Sequence, residues 1–229
     1  MPEFASLSRH TLVWIRPECR AAVAAQVTDD AMRTQVAAWL AADRPLVVAR
    51  QPDNMVPDTI SVGTIAMGLA LPPTQGKRRI ALGVAANDIV RYTPPLLLAD
   101  AIMHAPAEWQ PALAELHDAA MDIEIELRVF GSLAWQALSG LHYLTPQSDI
   151  DLLWHPLSNT QLQQGIALLA RWEQASGLRA DGEVLFGINS AVSWREWATL
   201  KSDDAQRVLV KRASSAELVE ARELLAMLA

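Results

Sequence analysis

The sequence predicts an α/β (α+β) protein in two parts. A mixed α/β domain over residues 1–110 precedes a C-terminal domain over 111–229, built as a small mixed sheet flanked by helices. Three observations predict this. Short apolar runs of strand length alternate with longer helical stretches, most regularly in the second half. Start and stop signals stand between them: a capping pattern at Ser158-Asn159-Thr160-Gln161 and glycines at 140 and 177. Apolar residues make up 51 % of 229, enough for a sizeable core, with no repeat or low-complexity segment.

In the first half, Thr11–Ile15 reads as an apolar strand. An alanine-rich helical stretch follows from about Glu18 to Ala42. Leu46–Ala49 reads as a buried strand and Gln51–Pro57 as a polar, proline-bearing loop. Ile60–Ile65 and Arg79–Ala85 read as strands separated by Pro72-Pro73-Thr74-Gln75-Gly76. Pro94-Pro95 marks a break, and Ala105–Pro111 is the expected boundary between halves, with Pro111 able to open a helix. In the second half, Ala112–Met121 reads as helix, Glu126–Phe130 as strand, and Ser132–Ser139 as a short helix closed by Gly140. Asp149–Trp154 is the next strand. A helix from Ser158 to about Ser176 is closed by Gly177. Leu178–Phe186 and Gln206–Lys211 read as strands. Ser214-Ser215-Ala216-Glu217 reads as a second capping box opening a terminal helix through Leu228.

Charge and composition exclude several function classes. The net charge of −7 is uneven: residues 1–112 hold 10 Lys/Arg against 10 Asp/Glu, and residues 113–229 hold 9 against 16. No basic track exists for long DNA or RNA. No apolar run reaches the roughly 18 residues of a membrane span, and no leader is expected from the first residues. The lone Cys19 rules out an internal disulfide and fits a reducing cytoplasm; it reads as a packed or surface thiol. No Gly-x-Gly-x-x-Gly or P-loop pattern occurs, and the five histidines share no metal-ligand spacing.

The chemistry gathers at Gly131-Ser132, followed by Asp149-Ile150-Asp151. Residues two apart on a strand share a face. Asp149 and Asp151 therefore project together, about 7 Å apart along the strand at roughly 3.3 Å per residue, toward the Gly-Ser turn. Two carboxylates so placed suit divalent cations, Mg²⁺ or Mn²⁺, in phosphoryl transfer. Gly131 would let backbone approach a phosphate, and Ser132 at a helix start would offer its hydroxyl and nearby N–H groups. In strand–turn–helix–loop–strand order this resembles the catalytic signature of a nucleotidyltransferase, which implies that fold for the C-terminal domain.

The segment Phe130-Gly131-Ser132 … Ser148-Asp149-Ile150-Asp151-Leu152-Leu153 resembles the MdcG-type malonate decarboxylase holo-acyl-carrier-protein synthases, or phosphoribosyl-dephospho-CoA transferases. Arg9–Trp14, Arg44–Arg50, Gly76–Ala81, Asp181–Val184, Ala191–Glu196 and Val208–Lys211 extend the likeness over nearly the whole chain. The resemblance implies transfer of a triphosphoribosyl-dephospho-CoA group to a serine of the apo acyl-carrier subunit of malonate decarboxylase. A phosphodiester would form and pyrophosphate leave. It carries the paired aspartates onto Asp149 and Asp151 and the Gly-Ser turn onto Gly131 and Ser132.

A third carboxylate completes many such sites. Glu183 is preferred and Asp181 is the alternative, two apart on one strand. Lys211, at a strand end, and the positive run Lys77-Arg78-Arg79 are candidates for phosphate binding. Arg195 reads as a structural ion pair. Trp109, Trp194 and Trp197 are candidates to stack an adenine. The rival readings are another small-molecule or protein-side-chain nucleotidyltransferase, and a non-catalytic binding module on the same fold.

Overall fold

The computed structural model describes residues 7–51, 63–200 and 206–228. The chain divides into two compact units that meet between Pro95 and Leu96, upstream of the expected Ala105–Pro111 boundary. The reason is packing. Strand β6 (Leu96–Leu97) pairs with β7 (Arg128–Val129) of the C-terminal unit, the short helix α3 (Leu98–Ala101) follows, and Leu98, Ala101, Ala105 and Trp109 are buried in that unit's core. Pro111 lies in the first turn of helix α4 (Gln110–Met121), where its missing N–H costs nothing.

In the N-terminal unit, β1 (Leu12–Ile15), β2 (Leu46–Val48), β3 (Thr64–Ala70), β4 (Arg79–Ala85) and β5 (Ile89–Thr93) form an antiparallel sheet in the order β4-β3-β2-β1-β5. The expected long helix is broken. A 3₁₀ turn (Pro17–Cys19) leads into α1 (Arg20–Ala24), and α2 (Asp30–Ala41) starts afresh. Asp29 causes the restart, because its carboxylate accepts the Met32 N–H at 2.9 Å and caps α2. The strand expected over Ile60–Ile65 runs instead from Thr64 to Ala70. Its expected first residues, 60–62, lie outside the described residues, as does most of the Gln51–Pro57 loop. β5 carries no apolar strand signal in the sequence, because four of its five residues are polar or outward-facing.

In the C-terminal unit, β7 leads into α5 (Gly131–Ser139), then β8 (Ile150–Trp154), α6 (Asn159–Ser176), β9 (Ala180–Phe186), β10 (Ser190–Ser193), α7 (Trp194–Ala198), β11 (Arg207–Lys211), β12 (Ala216–Glu220) and α8 (Ala221–Leu225). Among the described residues the sheet runs β12-β11-β10-β9-β8-β7-β6. β8 and β9 are its parallel pair, joined by α6, and the other pairings are antiparallel.

Ser158 caps α6 as expected: its hydroxyl accepts the Gln161 N–H at 3.2 Å. The Gln161 side chain reaches back one residue further than a capping box requires, to the Leu157 N–H at 2.8 Å. Gly140 and Gly177 close α5 and α6 in the left-handed conformation, at φ 71° and 73°. The terminal helix expected from Ser214 is corrected. Ala216–Glu220 is a strand in register with β11 (Leu209 opposite Leu218), and only Ala221–Leu225 is helical. The apparent capping glutamate, Glu217, pairs with Arg212 across the hairpin, and the Arg212 N–H donates to the Ser215 carbonyl at 2.8 Å.

The sheet has two unlike faces. Ile150, Leu152, Trp154, Val184, Phe186, Val192, Val208 and Val210 join Leu113, Leu116, Leu162, Leu169 and Trp172 in one buried cluster. The residues alternating with them point the other way. Trp172 Nε1 donates to the Ala112 carbonyl at 2.7 Å and ties α6 to α4.

Gly165 shows how tightly that core is filled. In an open helix, Gly→Ala would gain up to about 1 kcal/mol. Here a Cβ would lie 2.5 and 2.7 Å from the Trp154 ring and 3.0 Å from Ile125 Cδ1. Gly165→Ala is therefore expected to cost about 1–3 kcal/mol, read as a lowered thermal midpoint. A raised midpoint would show that Trp154 has room to move.

Candidate active site

Asp149 stands one residue ahead of β8 and Asp151 lies within it. Ile150 and Leu152 between and beyond them are fully buried. The two aspartates consequently share the side of the sheet away from the helical core, as strand alternation requires. Gly131 meets Asp151 there. At its φ of 62° an added Cβ would fall 1.8 Å from Asp151 Oδ2, so the Asp151 carboxylate lies directly against the glycine. The Phe130 N–H donates to the Asp151 carbonyl at 3.0 Å and locks the turn onto the strand.

Ser132 is the second residue of α5, and no side chain caps that helix at Phe130. The first-turn N–H groups of α5 thus start beside the acidic strand, a position favourable to anions. A second device holds the loop between α5 and β8. Gln136 Oε1 accepts the Tyr143 and Leu144 N–H groups at 2.9 and 3.1 Å, while its Nε2 donates to the His104 carbonyl at 2.6 Å. Sequence reasoning passed over Gln136, because a glutamine inside a short helix carries no signal until the loop returns to it.

The donor set fits a hard cation. Asp149 Oδ1 is buried without a hydrogen bond, with Arg179 Nε 3.4 Å away. The exposed Arg179 guanidinium brings that buried oxygen one positive charge, and a bound cation would supply the close ligation that this loose pair does not. Among the described residues, no three Asp, Glu, His or Cys side chains converge to hold a metal, so neither Asp181 nor Glu183 completes such a set with the two aspartates. Asp181 is paired with Asp151 across β8–β9 but is exposed, and its Oδ1 accepts the Gly182 N–H at 2.8 Å.

Glu183 has another partner. It sits on the acids' face, opposite Leu153, and is only 5 % exposed. Its Oε1 accepts from Lys211 Nζ at 2.9 Å. Lys211 therefore turns inward along the sheet face, half-exposed, rather than guarding the edge. Lys77, Arg78 and Arg79 lie in the N-terminal unit, all exposed at the β3–β4 turn, with Lys77 at φ 49°. Arg195 does form an ion pair, with Glu173.

The three tryptophans named as candidates to stack an adenine are core residues. Trp109, Trp194 and Trp197 are 7, 3 and 4 % exposed, and Trp197 packs on Phe186 with ring centroids 4.8 Å apart. His155 is exposed at the end of β8. A hydrogen bond to Asp88 raises the pKa of the Cys19 thiol, which keeps it protonated and suits it poorly to nucleophilic work.

Comparison with known proteins assigns the family. Residues 8–95 match the phosphoribosyl-dephospho-CoA transferase MdcG N-terminal domain, and residues 97–222 match the MdcG C-terminal domain. The two matches part where the two compact units do. A phosphoribosyl-dephospho-CoA transferase of Xanthomonas campestris pv. campestris (strain 8004) is 43 % identical over 92 % of this chain and 93 % of its own. Proteins of the same name from Xanthomonas axonopodis pv. citri (strain 306) and Bradyrhizobium diazoefficiens (strain JCM 10833 / BCRC 13528 / IAM 13628 / NBRC 14792 / USDA 110) are 44 % identical over 89 % of each chain, and 35 % identical over 82 % of this chain and 80 % of theirs. No solved structure matches the chain. With both halves matched in order and relatives aligned over nearly the whole chain, the chain belongs to the MdcG family of phosphoribosyl-dephospho-CoA transferases.

Proposed function

We propose that this enzyme transfers the 2'-(5''-triphosphoribosyl)-3'-dephospho-CoA group to a serine of the apo acyl-carrier subunit of malonate decarboxylase. The serine oxygen attacks the phosphorus nearest the ribose, the bond to pyrophosphate breaks, and the hydroxyl proton is released. What supports this reading most is the Asp151 carboxylate packed against Gly131 beside Asp149, in a chain whose two halves both match the family. The work would be done in the cytoplasm, which suits the single free thiol. Among the described residues, no helix is long and apolar enough to cross a membrane.

Asp149 and Asp151 would hold Mg²⁺ or Mn²⁺. When bound, the ion would supply positive charge to the phosphoryl oxygens and would lower the pKa of the attacking hydroxyl. Two carboxylates would suffice for Mg²⁺, an ion that is commonly bound through one or two carboxylates together with substrate phosphates. The bare backbone at Gly131, the Ser132 hydroxyl and the first N–H groups of α5 would bind the triphosphate. Lys211, oriented by the buried Glu183, would place a positive charge on the same face. Glu183 thus acts through Lys211.

The test is the intact mass of the apo carrier subunit after incubation with this enzyme, Mg²⁺ and donor. A gain equal to the donor less pyrophosphate is expected, with none when ATP replaces the donor. A mass gain with ATP alone would assign a different nucleotidyl transfer. Lys211→Met should raise the donor KM about tenfold. It should also cost about 1–3 kcal/mol of stability, because Glu183 is left buried without its cation. Lys211→Met combined with Glu183→Gln should recover the stability but not the KM. Recovery of both would remove Lys211 from donor binding.

A further inference from the structure

We infer that Glu173, Trp194 and Arg195 are positioning residues for the transfer site, acting through one backbone residue, Ala180. The inference rests on the reading that Asp149 and Asp151 form that site. Ala180 is the first residue of β9 and pairs with Ile150, the residue between the two aspartates. Its N–H donates to Glu173 Oε1 at 2.6 Å. Its carbonyl accepts from Arg195 Nη2 at 2.7 Å and from Trp194 Nε1 at 3.2 Å. Arg195 closes the ring by pairing with Glu173, and its guanidinium stacks 4.7 Å from the Trp194 ring centroid.

The topology explains why side chains are needed here. β10 pairs with β9 only as far as Ser193 opposite Glu183, and the chain then turns into α7. The first residues of β9 therefore lose their antiparallel neighbour where they meet the acidic strand. Trp194 and Arg195, the first two residues of α7, continue the ladder with side-chain donors, and Glu173 from the last turn of α6 supplies an acceptor. Two of these bonds involve a charged group and are correspondingly strong.

What they fix is the meeting of β9 with β8. Either side of Ala180 stand Arg179, whose Nε lies 3.4 Å from Asp149, and Asp181, opposite Asp151. The Ile150 N–H donates to the Arg179 carbonyl at 2.8 Å. Releasing Ala180 would let the start of β9 move, and with it Arg179 and the peptide linking Asp149 to Asp151. Outer supports of this kind change metal affinity or turnover without touching substrate.

The experiment uses the full chain with Arg195→Ala, Arg195→Lys and Glu173→Gln. Three quantities are read: Mn²⁺ affinity by electron paramagnetic resonance with pyrophosphate present, kcat and donor KM, and thermal midpoint. Arg195→Ala is expected to weaken Mn²⁺ binding and lower kcat, each about tenfold or more, with donor KM within about twofold. Glu173→Gln, which keeps an acceptor for the Ala180 N–H, should lie within about threefold of the parent. A folded Arg195→Ala with parental Mn²⁺ affinity and kcat would overturn the inference. Should that variant not fold, Arg195→Lys decides: it keeps the charge but loses the planar fork, and parental Mn²⁺ affinity in it would overturn the inference equally. Failure of the underlying reading looks different, because the unmutated chain itself would then bind no Mn²⁺ and transfer nothing.

Discussion

Asp149→Asn and Asp151→Asn are each expected to cut transfer by about 10³-fold while the chain stays folded. The argument has two parts. Each substitution is nearly isosteric and leaves Ile150 and Leu152, which carry the packing of β8, untouched in the core. Each also removes one of two like charges on a single strand face, which for Asp149 offsets the loss of its loose pair with the exposed Arg179, so the stability change should be small. The loss should therefore fall on ligand response. In the parent, Mn²⁺ with pyrophosphate should raise the thermal midpoint through linkage. In either variant that rise should shrink or vanish, together with the mass gain on the carrier subunit. Transfer retained in both variants would take the chemistry away from this pair.

Much of this site was legible in the sequence, because its parts lie close together along the chain. Strand alternation alone places Asp149 and Asp151 on one face, and the glycine before a short helix marks the turn that meets them. Longer-range features were hidden. Glu183 follows Asp181 in the same alternation, so the acids' face was readable, but its lysine partner sits on β11, 28 residues later. The Ala180 supports come from α6 and α7, and nothing local in Glu173 or Arg195 announces a shared backbone target. The fold shows the same division. Capped helices such as α6 were plain. β12 was mistaken for helix because Ser-Ser-Ala-Glu carries a capping pattern, yet Leu218 and Val219 gain more by pairing with β11. β10 and α7 were missed because each is short and the turn between them leaves no glycine or proline.

Gly131→Ala is expected to abolish most transfer, by about 10²-fold or more, through a collision that can be separated from backbone strain. Two costs fall on any side chain at this position. The φ of 62° is left-handed, which costs an L-residue roughly 1–2 kcal/mol. The new Cβ would also sit 1.8 Å from Asp151 Oδ2 and 2.6 Å from its Cγ. Asp151 is half-buried and can swing aside, so the fold should survive while the carboxylate leaves its place. Gly140 and Gly177 provide the control, with φ of 71° and 73° and nothing within 4 Å of an added Cβ. Gly140→Ala and Gly177→Ala should show the strain alone, as a lowered thermal midpoint with transfer preserved. A cycle with Asp151→Ala isolates the collision, since that change removes the atoms in the way. Gly131→Ala should then cost measurably less stability in the Asp151→Ala background than in the parent, a non-additivity of about 1 kcal/mol or more. Equal costs in the two backgrounds, with transfer preserved, would mean that Asp151 does not rest against the glycine in solution.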